Sequence, residues 1–285
     1  MIRVQPGSKA YDVCEPDAKR GRELRPMPPA TPSHAMSKVP AVTLGFWIIK
    51  ILATTLGETF GDTLSMTMNL GYLASTAIFL SAFVILVIFQ IRARRFSAPL
   101  YWATIVASTT AGTTMADFAD RSLGIGYAGG SAILLGCVVS MLALWRWREG
   151  SVSVNTVAAP RVEVFYWVTI TFSQTLGTAL GDWTADDSGL GYGGAALIFA
   201  AGLALVAGAY FWTTLSRAWL FWIAFILTRP LGAAVGDFLD KPVADGGLAL
   251  SRPIASLVIA VLMIIGISVF RQRAADPEGG GSAQR

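Results

Sequence analysis

The sequence predicts an all-α membrane protein of eight transmembrane helices, arranged as four parallel helical hairpins with both termini cytoplasmic. Three observations predict it: an apolar composition, apolar runs of membrane-spanning length, and a tryptophan-centred pattern that recurs four times. Of 285 residues, 54% are hydrophobic and 14% charged, and the mean hydropathy is +0.56. Soluble domains carry about 25% charged residues, so this composition excludes an ordinary soluble enzyme and makes the lipid bilayer the main partner.

A spanning helix needs about 20 mostly apolar residues. Runs of that kind lie at 41–62, 72–91, 99–118, 127–145, 163–183, 191–213, 217–238 and 248–270. They divide the chain into repeats at 40–95, 96–150, 161–215 and 216–271, with a cytoplasmic linker at 151–160. Residues 1–39 are proline-rich, carry scattered charge and the only histidine, His34, and lack the apolar core of a signal peptide. This tail is expected to be disordered, as is 272–285. Met27 and Met36 are alternative starts. Cys14 falls in the tail and Cys137 in a span, so neither a disulfide nor a metal site is expected of them.

Trp47, Trp102, Trp167 and Trp222 each follow an aromatic residue and open an odd-numbered span. Ten residues after each comes Gly57, Gly112, Gly177 or Gly232, and fifteen after comes Asp62, Asp117, Asp182 or Asp237. Plus 14 holds Gly61, Ala116, Gly181 and Gly236, and plus 24 holds Gly71, Gly126, Gly191 and Gly246. A unit with an even number of spans returns the chain to its starting side, so the repeats are parallel. Arg92, Arg94, Arg95, Arg146, Arg148, Arg161, Arg217, Arg271 and Arg273 crowd the connections between repeats and the C-terminus, while the hairpin loops carry Arg121 and Lys241. The positive-inside bias therefore places both termini in the cytoplasm. Asp120, Asp186, Asp187, Asp240 and Asp245 then join the repeated aspartates on an acidic outer face.

These tandem tryptophan hairpins over residues 41–271 resemble a bacterial membrane protein family built from four copies of a two-span repeat of unknown function. The resemblance implies the fold and a bacterial inner-membrane location, and it is silent on chemistry.

Chemistry has to come from the columns. The small residues at plus 10 and plus 14 are expected at helix–helix contacts, where close backbone approach supplies packing energy that lipid does not. Positions plus 3, 7, 11 and 15 share one helix face. They hold Lys50, Ile105, Ile170 and Phe225; then Thr54, Thr109, Gln174 and Arg229; then Glu58, Thr113, Thr178 and Ala233; then the four aspartates. If the odd helices surround a shared axis, the aspartates form a ring about 22 Å above the tryptophans, near the far interface. There they are either cheaply solvated or caps of the hairpin turns. Glu58 lies one turn deeper, where burial of an acid demands compensation. Arg229 is the candidate across the axis. Lys50 is about 12 Å below Glu58 on the same helix, too far to pair. Pro230 frees a mid-span carbonyl, which favours a wet interior.

The first repeat alone reads E-x-x-G-D-T, which is similar to the E-x-G-D-[KR]-[ST] signature of membrane cation/proton exchangers handling calcium and manganese. The spacing differs by one residue, the basic position is missing and the motif is not duplicated. Carboxylates and hydroxyls are hard ligands suited to Mg2+, Mn2+ or Ca2+, and one histidine with two cysteines offers no zinc set. The expectation is a transporter moving a cation. Glu58, Asp62, Asp117, Asp182 and Asp237 are its metal ligands, Lys50 and Arg229 its counter-charges, and Thr54, Thr109, Thr113, Gln174 and Thr178 its polar stripe. The alternatives are an anion or organic-acid carrier using Arg229 and Lys50, and a scaffold or sensor without flux. No catalytic dyad or phosphate loop is present, so neither an enzyme nor a cofactor is expected. The expected partners are the bilayer and a small ion. Nucleic acid is not expected, and nothing indicates a homo-oligomer.

Overall fold

The computed structural model describes residues 36–275. Among them are eight long helices: α1 (Leu44–Asp62), α2 (Tyr72–Arg92), α3 (Ala98–Asp117), α4 (Tyr127–Glu149), α5 (Pro160–Asp182), α6 (Gly191–Trp212), α7 (Arg217–Asp240) and α8 (Arg252–Val269). Their bounds follow local chemistry. Thr43 caps α1 by accepting from the Phe46 N–H, prolines open α3, α5 and α8, and Gly150 ends α4 in the left-handed conformation. The glycine column at plus 24 has a similar cause: Gly71, Gly126, Gly191 and Gly246 all have φ between 63° and 84°, a region open to glycine at little cost.

The odd helices pack in a closed ring, α1 on α3, α3 on α5, α5 on α7 and α7 on α1. Each even helix lies against the odd helix of the following repeat: α2 on α3, α4 on α5, α6 on α7, and α8 back on α1. A hairpin's second helix thus clasps its neighbour, and α8 closes the circle.

The small residues set the register of the inner ring. A Cβ on Gly57 would sit 1.9 Å from Thr109 Oγ1, one on Gly112 2.9 Å from the Gln174 backbone, one on Gly177 2.2 Å from Arg229 Cγ, and one on Gly232 2.2 Å from Thr54 Oγ1. In every repeat the plus-10 glycine therefore receives the plus-7 residue of the next. Threonine hydroxyls reinforce the seam, Thr109 donating to the Ala53 carbonyl at 3.2 Å and Thr54 to that of Thr228 at 3.1 Å. At the lower end the aromatic residue before each tryptophan meets the next repeat's tryptophan. The centroid pairs are Phe46–Trp102 at 5.5 Å, Tyr101–Trp167 at 5.9 Å, Tyr166–Trp222 at 6.1 Å and Phe221–Trp47 at 5.6 Å.

Five helices (α2, α4, α6, α7 and α8) are long and apolar enough to cross a membrane, and the chain is a multi-pass membrane protein. The outer helices expose side chains such as Leu73, Ile133, Leu205 and Ile264. α1, α3 and α5 are less apolar because their polar stripe faces the ring, which shields it from lipid.

The terminal tails differ from expectation where they can be seen. Residues 1–35, with Cys14, Met27 and His34, and 276–285 lie outside the described residues. Ser37, Lys38 and Val39 are buried rather than disordered, and Pro40 pairs antiparallel with Ala274. Lys38 Nζ reaches buried Glu163 at 2.6 Å and the Ile91 carbonyl at 2.9 Å. The Ser37 hydroxyl donates to the Val154 carbonyl of the linker at 2.7 Å, so tertiary bonds order a segment whose composition gives it no structure of its own. On the C-terminal side Gln272 Oε1 accepts from the Trp102 indole at 3.1 Å, and Ala275 is buried.

Candidate functional site

The inward stripe forms stacked layers on the ring axis, and every member of the plus-7 and plus-11 columns is nine-tenths or more buried. Arg229 organises the middle. Its Nη1 donates to Glu58 Oε2 at 2.9 Å, and its Nη2 donates to Thr113 Oγ1 at 2.5 Å and Thr178 Oγ1 at 2.6 Å. One guanidinium thus ties α7 to α1, α3 and α5. Thr113 Oγ1 also lies 3.3 Å from Glu58 Oε2. A planar fork with five donors suits such a junction, which an ammonium could not reproduce.

One turn above, Asp62, Asp117, Asp182 and Asp237 come together, each no more than 3% exposed. They are not cheaply solvated, because the chain folds over them. After Asp62, Asp117 and Asp182 the helices run on into π-helical turns (Thr63–Thr67, Phe118–Ser122 and Trp183–Asp187), and α7 continues to Asp240. Nor do the aspartates cap turns; they pair with cations. Arg121 reaches Asp117 at 3.0 Å and Asp182 at 3.5 Å, and Lys241 reaches Asp237 and Asp62 at 3.1 Å each. Each cation stands four residues after its own aspartate and bridges to the next repeat's. Repeats one and three hold Met66 and Asp186 at that place.

Burial works against the Lys241 ammonium, yet Asp237 and Asp62 outweigh it and hold its pKa above the ordinary lysine value. Arg121 is likewise raised against burial by Asp117 and Asp182. Arg252 adds a third cation, 3.2 Å from Asp240 and 3.7 Å from Asp62. Carboxylate oxygens of Asp62, Asp237 and Asp240 lie within 4.8 Å of one another, close enough to share one ion.

Five aspartates in this layer therefore face three fixed cations. Among the described residues, Asp117 Oδ2, Asp237 Oδ1 and Asp240 Oδ1 in this layer are buried without a hydrogen-bond partner, Asp237 Oδ1 having only the Lys241 ammonium 3.1 Å away. Two negative charges remain to be balanced, and buried carboxylates are not left bare.

The other sequence-level candidates divide. Thr54 and Thr109 spend their hydroxyls on backbone carbonyls, and Thr113 and Thr178 serve Arg229. Gln174 is fully buried with both amide atoms unpartnered, and Lys50 has only the Phe225 ring, 4.2 Å from its ammonium to the centroid. Sequence reasoning missed Arg121, Lys241 and Arg252 as partners of the aspartates. The i,i+4 spacing of Asp117–Arg121 and Asp237–Lys241 was the available signal.

The chain matches no curated protein and no solved structure. Residues 45–96, 100–151, 165–216 and 220–274 each match one family model, described as Repeat of Unknown Function (DUF347). Those segments coincide with the hairpins that build the ring, and the chain belongs to that family.

Proposed function

We propose that this protein is an eight-span transporter of a bacterial inner membrane that moves a cation, with both termini in the cytoplasm. A divalent ion such as manganese, magnesium or calcium fits best. One observation carries the reading: the buried aspartate layer holds two more carboxylates than fixed cations. One divalent cation balances that surplus, and so do two protons, so the same layer can exchange one for the other. Its donors are carboxylate oxygens, the ligands that hard cations prefer. No enzymatic role is proposed.

Glu58 is the deeper ligand, and Arg229 occupies it in this conformation. Passage along the axis requires Arg229 to leave Glu58, so the guanidinium acts as an internal counter-charge that an entering cation replaces. Lys50, two turns below Glu58, is the second counter-charge.

Uptake of manganese, magnesium and calcium into vesicles containing the purified protein tests this directly. Flux of one of them is expected, abolished by Asp117→Asn with Asp237→Asn. Absence of flux for every cation, with the protein folded, refutes it. The scaffold reading has one observation in its favour, the Arg229 clamp on all four core helices, and it predicts that absence. An anion carrier would instead keep transport after Glu58→Gln, which the cation reading does not allow.

A further inference from the structure

Below the aspartates the four seams of the ring are alike, because at each one the plus-10 glycine receives the plus-7 residue of the next repeat. The outer helices favour no seam either, with one even helix clasped on each odd one. The aspartate layer does discriminate. Arg121 joins Asp117 of α3 to Asp182 of α5, and Lys241 joins Asp237 of α7 to Asp62 of α1. On the second of these seams α8 adds Arg252 to Asp62 and Ser256 to Thr59, with 2.9 Å between the hydroxyls. Among the described residues, no ion pair crosses from α1 to α3 or from α5 to α7. Where a bridging cation would stand for those two seams, the sequence has Met66 and Asp186.

The outer end is thus clipped into two pairs, α7 with α1 and α3 with α5. The charge divides between them. Asp62, Asp237 and Asp240 face Lys241 and Arg252 in the first pair, and Asp117 and Asp182 face Arg121 in the second. Each pair therefore keeps one carboxylate more than its cations. Each also buries a carboxylate oxygen without a hydrogen-bond partner, Asp240 Oδ1 in one and Asp117 Oδ2 in the other. Like charges repel strongly in a protein interior, and this repulsion acts across the two seams that no cation spans. A divalent cation between the pairs reverses it. One turn lower, Arg229 holds all four odd helices together and so forms the pivot.

We infer that the outer end of the ring is a cation-operated gate, which parts along the α1–α3 and α5–α7 seams when the surplus carboxylates are bare and closes when a cation lies between the two pairs. The nature of the occupant rests on the cation reading above; the choice of seams rests on where Arg121 and Lys241 stand. The described arrangement, with the four repeated aspartates no more than 3% exposed, is the closed one.

Met68, Leu123, Ser188 and Val243 occupy equivalent exposed positions in the four hairpin turns and report on every seam. The test uses four full-length proteins in lipid nanodiscs, with Cys14 and Cys137 replaced by alanine and spin labels on cysteines at two of these positions. Met68 with Leu123 and Ser188 with Val243 span the unbridged seams; Leu123 with Ser188 and Val243 with Met68 span the bridged ones. In mildly alkaline chelator, which leaves the carboxylates charged, the first two distances should exceed their values in magnesium or calcium by about 2 Å or more. The bridged distances should not change, and they show in the same experiment that the bundle is intact. Asp117→Asn with Asp240→Asn removes the surplus without an ion, so it should give the closed distances in chelator whichever cation is native. Arg121→Met should release the Leu123–Ser188 seam as well. Four seams that move alike overturn the inference, and so does a neutralised variant as open in chelator as its parent. Either result beside cation flux in vesicles leaves the transporter standing and removes only the gate, whereas absence of flux strikes the transporter itself.

Discussion

Arg229→Met is the sharpest perturbation of the core. It keeps most of the side-chain volume and removes the 2.9 Å ion pair with Glu58 together with the bonds to Thr113 and Thr178. Removing one partner of a buried pair costs about 3–5 kcal/mol, because the other charge is left behind; here Glu58 would keep only Thr113, at 3.3 Å. Glu58→Gln is milder. Its amide oxygen still accepts from Nη1, so the loss is that of one charge-assisted bond, about 2 kcal/mol. Independent effects would sum to about 6 kcal/mol. In the double variant neither charge remains, and the cost should fall to about 3 kcal/mol, since replacing a buried pair whole is far cheaper than breaking it. The coupling, about 3 kcal/mol, is a factor of about 150 in the unfolding equilibrium. Unfolding of the four proteins in mixed micelles of rising denaturing-detergent content measures it. A double variant equal to the sum of the singles within about 0.5 kcal/mol would refute the clamp.

Three further outcomes follow from other parts of the molecule. Gly112→Ala puts a methyl 2.9 Å from the Gln174 backbone and should cost about 1–3 kcal/mol as overpacking, whereas Gly136→Ala meets nothing within 4 Å and should unfold like the wild type. Lys241→Met should lower stability by an amount that is full below the ordinary lysine pKa of 10.5. The gap should close only as pH climbs above that value toward the raised folded-state pKa; a gap already closing at neutral pH contradicts the aspartate pairing. A cysteine at Val39, 1% exposed, should resist maleimide in the otherwise native chain and react faster once Lys38→Met removes the Glu163 contact; equal rates would show that Lys38 does not hold the segment down.

The ring was legible because its determinants repeat. Trp47, Gly57 and Asp62 recur at fixed offsets in four hairpins, and parallel repeats meeting through the same small residues have few other ways to close. Glu58 and Arg229 were legible for the opposite reason. Each is the sole charge in its column, and a lone buried charge implies a partner. Arg121 and Lys241 fell between these signals, since they follow the aspartate in only two repeats and sit where loops are expected. The π-helical turns that bury the aspartates have no pattern in the sequence that distinguishes them from solvated loops. The offset by which α2 serves α3 instead of α1 is a matter of hairpin geometry, which hydropathy does not encode. The ordering of Ser37–Pro40 rests on carbonyls contributed by Ile91, Val154 and Val157, remote in sequence and invisible to composition.

The clasp of each outer helix on the following repeat, closed by α8 on α1, gives the molecule no true first hairpin. Pro40 and Ala274 already lie side by side, so fusing the chain there and cutting it open between α4 and α5 asks no helix to change its neighbours. A circular permutant starting at the third hairpin should assemble the same bundle.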